Sequence, residues 1–360
     1  MSTASSRIKP AANCTFSKQM TLIVKGIAIC AMFFHHTVSN SPSQPVEIAP
    51  NNIALMFASA GKVCVPLFMI LSGYGITKSF ESFKAKGYKC SGKFVINHIV
   101  KLILSFIFVY ALSAVFYIFD GGSLTQLYGG GITGIFYFLK DILGLERFII
   151  ETPSVCTAWW FMEAAIVCYA LTPLLYRIIA KNKIVGLVFT CICYLPWIIK
   201  LLILGWETTT DREIFYIFSF AVGMFCARYG VFDGLVKLSE KAKVTFGIIS
   251  VIIMTVMFFI RSQLCLLVDD FWALSIIVFA IGVARRVPVV RPMLESLGEN
   301  SSDMYMFHMS LKPLIASVFI SNGCKCLFFI IVCWGVAMLL TKIKEIIHYN
   351  SLIKRLQLKY

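Results

Sequence analysis

The sequence predicts an all-α membrane protein, a polytopic helical bundle of about ten transmembrane helices with both termini in the cytoplasm. Three observations lead there. Hydrophobic residues make up 59% of the chain and charged residues only 14%, with a mean hydropathy of +0.82, whereas a water-soluble globule is about a quarter charged. Apolar runs of about 20 residues, the length of helix that crosses a hydrocarbon core about 30 Å thick, recur along the chain. The net charge of +15 lies between these runs and not in one patch, so no nucleic-acid partner is expected.

The runs fall at 20–38, 53–77, 99–119, 157–180, 184–204, 213–229, 243–260, 264–285, 302–321 and 325–345. The first carries Lys25, His35 and His36 and has no small-residue cleavage site, so it reads as a retained span and not as a signal peptide. The second closes on Leu71-Ser72-Gly73-Tyr74-Gly75, small residues that allow close packing or an opened helix end. Between the third and fourth, Gly131 to Leu145 is short and contains Lys140 and Asp141. It is expected to be an interfacial or re-entrant helix in a long outer loop, about 120 to 156, that caps the bundle.

Lysine and arginine fix the direction of each span. The N-terminus (Arg7, Lys9, Lys18), the second loop (Lys78 to Lys93), the fourth (Lys181, Lys183), the sixth (Arg228, Lys237, Lys241), the eighth (Arg285, Arg286, Arg291) and the C-terminus are basic, and the intervening loops are nearly free of positive charge. The positive-inside rule then puts both termini in the cytoplasm, and the chain is expected to be a multi-pass protein of the cytoplasmic (inner) membrane. Residues 1–19 form a cytoplasmic tail, 20–347 the membrane domain and 348–360 a second tail. Thirteen cysteines are scattered through apolar segments without paired C-x-x-C spacing, so they read as core thiols; neither a metal site nor a disulfide framework is expected.

Charged side chains inside a span are costly and tend to face a cavity or one another. Here they include Lys25, His35, His36, Lys62, Lys101, Glu163, Lys200, Asp269, Asp270, Asp303, His308 and Lys312. Lys200, near a span end, reads as a snorkelling side chain. Lys25 and His36 stand eleven positions apart, on one helix face and about 16 Å apart along the axis. Glu163, a turn below the outer surface, lies at about the depth of His36. A carboxylate there either orients the imidazole and stabilises its cation or forms a structural ion pair. Trp159 and Trp160 are interface anchors or a platform for an acceptor. On the inner side, Ser72, Tyr74, His98 and Lys101 and the segment Gly298 to His308 share the half of the bundle that holds Lys25.

These residues make the chain resemble the acyltransferase-3 family, integral membrane O-acyltransferases of bacterial cell-surface glycans. The resemblance spans nearly the whole chain. Lys25 and His36 occupy the family's arginine–histidine spacing in the first span, with lysine in place of arginine. Leu67-Phe68-Met69-Ile70-Leu71-Ser72-Gly73-Tyr74 matches the second-span pattern, Trp159 to Glu163 the Trp-x-x-x-Glu element, and Leu297-Gly298 through Ser301, Tyr305 and His308 the late pattern. His98 and Lys101 stand where the family has Arg-x-x-Arg, which keeps positive charge but loses the bidentate fork for phosphate.

The resemblance implies an acyltransferase, most simply an O-acetyltransferase, that moves an acyl group from cytoplasmic acyl-CoA (acetyl-CoA as donor) to a hydroxyl of a cell-surface or lipid-linked glycan. His36 and Glu163 are the implied catalytic residues. Lys25, Ser72, Tyr74, His98, Lys101 and His308 are implied to hold the donor, and Trp159, Trp160 and Lys62 the acceptor. A secondary transporter or flippase of a glycan or lipid-linked intermediate is the alternative, although the related halves and paired broken helices common in transporters are not evident. A catalytically degenerate sensor is a third reading.

Overall fold

The structure is a computed structural model and describes residues 15–38, 53–204, 213–316 and 322–359. Every regular element among them is helical. Helix α1 (Lys18–Val38) begins beside Ser17, whose Oγ accepts from the Met20 N–H at 3.3 Å and so satisfies one of the free donors of the first turn. It runs through the middle of the molecule, burying Ile23, Val24, Ala28, Ile29, Met32 and Phe33. Helices α2 (Ile53–Ala60) and α3 (Cys64–Ala85) are joined by one 3-10 turn, and Gly61 in that turn lies so close to the Ala31 carbonyl that a Cβ would not fit.

Helix α4 (Ser91–Phe119) leads to the short α5 (Leu124–Tyr128) and α6 (Gly131–Ile142), then α7 (Trp160–Ile179), α8 (Lys183–Ile192) and α9 (Leu195–Leu204). Helix α10 (Ile217–Arg228) turns into α11 (Val231–Lys237) through a bend of 56°. Gly230 makes that bend at φ +65°, in the left-handed region that glycine enters without steric cost. Helices α12 (Glu240–Leu264), α13 (Asp269–Gly282), α14 (Val290–Ala316), α15 (Asn322–Ile346) and α16 (Tyr349–Leu356) complete the chain.

Two crossings without side chains hold the interior. Gly26 of α1 faces Gly298 of α14, and a Cβ on either would run into the partner's backbone at Leu294 or Leu22. Gly73 of α3 faces Gly223 of α10 in the same way, against Phe220 and Ile70. Close backbone approach of this kind is the main device for packing helices in lipid, where burial of apolar surface gives little driving force. In both pairs the helices run parallel. The same offset in sequence separates Gly26 from Gly298 and His36 from His308, so the first crossing sets which side chains meet further along.

Seven helical stretches among the described residues are long and apolar enough to cross a membrane, and eight if α10 and α11 count together. The expected spans at 213–229, 264–285 and 302–321 are the ones that differ. Helices α10 and α13 have 12 and 14 residues, about 18 and 21 Å of helix. Most of their residues are buried, and α13 still carries the chain from the Arg261–Asp269 pair at one end of α12 back to the Arg285–Glu240 pair at the other. The third falls on the second half of α14, a 27-residue helix with a polar first half, and residues 317–321 lie outside the described residues. At the other extreme, only 17% of an 18-residue apolar window within Glu240–Arg261 is buried, against 67% of the corresponding window in Ala58–Ala85; α12 therefore belongs to the lipid-facing rim.

The interfacial helix expected near 131–145 is α6. Its Ile132, Ile135, Phe136 and Leu139 form one exposed apolar stripe, and its 12 residues are too few to span. The opposite face folds the loop that follows. Asp141 accepts from the Tyr128 hydroxyl at 2.5 Å, Ser154 Oγ at 2.6 Å and the Val155 N–H at 2.9 Å, while Lys140 Nζ donates to the carbonyls of Phe148 and Ile150. The C-terminal segment is also docked. Asn97 of α4 is bonded to Leu358 through its side chain in both directions and to Gln357 through its carbonyl, and the Tyr349 hydroxyl donates to the Leu104 carbonyl.

Candidate active site

The polar residues form two groups, one at each end of α1. At the end where α1 starts, here the basic face, a cleft of about 540 Å³ opens between α3 and α4 and is lined by Lys78, Ser82, Lys86, Tyr88 and His98. The His98 ring lies on Phe94 at 4.1 Å between centroids, and its Nδ1 is 2.9 Å from the Phe94 carbonyl, which fixes the ring at the cleft wall. Lys101 is exposed one turn further along α4, and Ser72 is half-buried on α3. Tyr74 donates to Asp233 Oδ1 at 3.3 Å; Asp233 also pairs with Lys78 at 3.5 Å and accepts the Phe16 N–H at 2.7 Å. Asp233 thus ties α3, α11 and the segment before α1 together. Lys25 itself is half-buried and has no ion-pair or hydrogen-bond partner among the described residues.

A second cleft on this face, about 490 Å³, lies between the starts of α1, α12 and α14 and contains Arg285, Arg286 and Arg291. Its arginines are already paired. Arg285 and Arg286 both hold Glu240, which Lys243 also contacts, and Arg291 holds Glu295 at 2.7 Å. The α3–α4 cleft has the freer charge and is the better place for an anionic ligand.

At the far end of α1 the surroundings are aromatic and largely buried. The His36 ring is 5.0 Å from His35 and 4.8 Å from His308. His35 is spent on structure, because its Nδ1 lies 2.7 Å from the Ala58 carbonyl and pins α2 to α1. His308 is fully buried, edged by Phe33 at 5.9 Å and Phe329 at 6.4 Å, with Nδ1 2.5 Å from the Tyr305 carbonyl. Two ring nitrogens, His36 Nδ1 and His308 Nε2, are buried without a partner among the described residues. Among the described residues, Lys62 and Lys312 are the lysines whose charge acts on His36.

The structure therefore moves His308 from the donor end, where the sequence suggested it, to the side of His36. The reason is register. The apolar run begins at 302, but α14 begins at 290, so His308 is about 27 Å into its helix and level with His36, not with Lys25.

Glu163 is buried one turn into α7, and its Oε2 accepts the Arg147 N–H at 3.0 Å. The loop that follows α6 is thereby fastened to α7. Trp159 does not form a platform. It is fully buried, its indole N–H donates to the Met306 carbonyl at 2.8 Å, and Phe106 and Tyr110 enclose it at 4.8 and 5.6 Å. Trp160 is only partly buried, lies 5.4 Å from Tyr216 and has the Arg147 guanidinium over it at 6.0 Å. Lys62 lines a small polar cavity with Trp197, Tyr216, Asp269 and Asp270.

Other intramembrane charges that the sequence left unexplained are structural. Arg261 grips Asp269 with two hydrogen bonds of 2.6 and 3.1 Å and reaches Ser59 Oγ at 2.7 Å. Asp270 is buried and accepts from Ser219 Oγ. Lys344 pairs with Asp303 at 2.6 Å. Lys200 does not snorkel; it is buried with its ammonium over Trp197 and Phe215 at 5.2 and 5.1 Å, where the ring faces attract the cation.

What the site offers is an imidazole pair in apolar surroundings, joined by one helix to a basic cleft at the opposite end. A family model described as an acyltransferase domain, acyltransferase-3, matches residues 23–341. No curated protein and no solved structure gives a match. The match spans the helix of Lys25 and His36, the cleft and the histidine pair, and the chain belongs to the acyltransferase-3 family of membrane acyltransferases.

Proposed function

We propose that this acyltransferase takes its acyl group from acyl-CoA, acetyl-CoA in the simplest case, at the basic face and delivers it to a hydroxyl of a cell-surface or lipid-linked glycan at the far end of α1. The observation that carries the reading is the arrangement on that one helix. His36 stands in a dry cluster at one end and Lys25 near the other, with a basic cleft beside the lysine end. A donor with a polyanionic nucleotide and a long neutral arm matches that layout. Its phosphates suit Lys78, Lys86, His98 and the exposed Lys101, and the arm suits a path past Ser72 and Lys25. The span of about 16 Å between Lys25 and His36 is comparable to an extended pantetheine.

The chemistry asks little beyond one well-placed base. His36 takes the proton of the acceptor hydroxyl, the oxygen bonds to the thioester carbonyl carbon, and the C–S bond breaks with its electron pair leaving on sulfur. The imidazolium then returns the proton to the thiolate. Lys62 and Trp160, at the polar and aromatic wall of the far end, are suited to hold the sugar that bears the hydroxyl, and Glu163 keeps the capping loop over it.

Isothermal titration of acetyl-CoA into the detergent-purified protein tests the donor, with CoA as the comparison and glycan acetylation in membranes as the functional readout. Saturable binding and acetylation support the reading. A folded sample that binds neither ligand and moves a glycan across vesicles without CoA belongs to a transporter instead.

A further inference from the structure

We propose that His308 is the positioning partner of His36. Its Nε2 accepts from His36 Nδ1–H, so that His36 Nε2 is left as the base, and it shares the positive charge that forms when Nε2 takes the acceptor's proton. The proposal deepens the acyl-transfer reading and rests on it for the identity of the reaction, but the coupling between the two rings can be measured without any acyl donor.

A carbonyl oxygen only accepts, so the nitrogen of His308 that faces Tyr305 carries the hydrogen, and in a neutral imidazole the other nitrogen is then a bare acceptor. That nitrogen, Nε2, is buried and unpartnered, and so is His36 Nδ1 on the ring 4.8 Å away. Unpaired polar atoms in a dry interior are costly. Here the two orphans are complementary, one fixed as an acceptor and the other able to donate. With His308 held on the Tyr305 carbonyl, a turn of the His36 ring pairs them, and this pairing selects the His36 tautomer with Nε2 free.

The neighbours narrow the choice of partner. On α1, His35 is committed to Ala58; Lys62 and Lys312 face the pair as cations and cannot accept a hydrogen bond. Glu163 has its Oε2 on the Arg147 N–H. In hydrolytic triads an acidic side chain holds the histidine; a neutral imidazole does the same work with less pull on the proton. The Gly26–Gly298 crossing keeps α1 and α14 in the register that brings the rings together.

The balance of the step is unchanged by this role. The O–H bond of the acceptor breaks as a bond to His36 Nε2 forms, the new C–O bond replaces C–S, and the proton ends on the CoA sulfur. His308 gains and loses nothing net.

The test uses full-length protein in lipid nanodiscs, labelled with 15N in its five histidines, as wild type, His308→Gln and His308→Ala. The Gln side chain can place an amide oxygen near the position of Nε2, so it preserves an acceptor but cannot share charge. The expected wild-type spectrum has His36 as the Nδ1–H tautomer. His308→Gln keeps that tautomer and moves the titration midpoint of His36, whereas His308→Ala mixes the tautomers. In membranes supplied with acetyl-CoA, CoA release falls about tenfold in His308→Gln and about 100-fold in His308→Ala, within the range for a lost acid–base partner, and the acid limb of the pH profile moves with the NMR midpoint. An unchanged His36 tautomer and midpoint in both variants overturns the proposal. If the wild type ignores acetyl-CoA while the rings remain coupled, the donor reading fails and the positioning role stands.

Discussion

The two ends of α1 solve opposite physical problems. At the basic face, charges are exposed or half-exposed, water screens them, and Asp233 spreads a single carboxylate over α3, α11 and the segment before α1. At the far end, the histidine cluster is packed among Phe33, Phe329 and Tyr305, where a polar atom is either paired or expensive. A wet basic surface captures a charged, mobile ligand through many weak contacts. A dry cluster gives one proton transfer its direction. Affinity and chemistry are thus separable along one helix, and substitutions at the two ends should fail in different ways.

The largest effect is expected from His36→Ala. Acyl transfer should fall by at least about 100-fold, while the dissociation constant for CoA, measured by titration, stays within about twofold. Loss of CoA binding in this variant would show that the two ends are not separable. Gly298→Val comes next. Its side chain has to displace the Leu22 backbone, and overpacking of this kind costs about 1–3 kcal/mol or more. A lower thermal midpoint should accompany loss of activity, because the same crossing sets the His36–His308 register. An unaltered midpoint would mean that α1 and α14 are not closely packed there.

The smaller effects lie at the basic end. Lys25→Ala should weaken CoA binding about tenfold, roughly 1.4 kcal/mol, and Lys25→Arg, which keeps the charge, should cost less. Raising salt should weaken donor binding in the wild type, as expected for exposed charges, yet leave turnover at saturating donor nearly unchanged. Equal affinity in Lys25→Ala and Lys25→Arg would make Lys25 a packing residue.

Much of this was legible from residues alone, and the exceptions have a common cause. Apolar runs and helical spacing place α4, α7, α12 and α15, which have exposed apolar positions and a length that reports the bilayer, and also α1, which is long enough to span although it has no exposed residue between Met20 and Thr37. Helices α10 and α13 have 12 and 14 residues, so their apolar runs locate the elements but overstate the length of regular helix. Lys25 and His36 share a face by spacing within one helix. His308, Arg261 with Asp269, and Asp303 with Lys344 meet only through contacts between helices, which no local pattern encodes. Trp159 looked like an interfacial residue because tryptophan is common there, and only its enclosure by Phe106 and Tyr110 shows otherwise.

The smallest effect is a test of the cap over the far end. Glu146 lies in the loop after α6, 3% exposed and with Oε2 unpartnered; burial pushes its carboxyl up to about 8, against an ordinary value of 4.5. The folded loop therefore keeps the proton over a range in which the opened loop has lost it. Its contribution to stability is complete below pH 4.5, declines as pH rises through the interval to about 8, and is gone above that. Hydrogen exchange of residues 143–156, corrected for the intrinsic pH dependence of exchange, should report easier opening between pH 5 and 8 in the wild type. Glu146→Gln, which is neutral throughout, should open with the same ease across that range. If the variant retains the wild-type pH dependence, Asp141, which burial also raises, becomes the group to replace. If neither replacement flattens the profile, the cap is held by its backbone bonds and the far end is dry for reasons of packing alone.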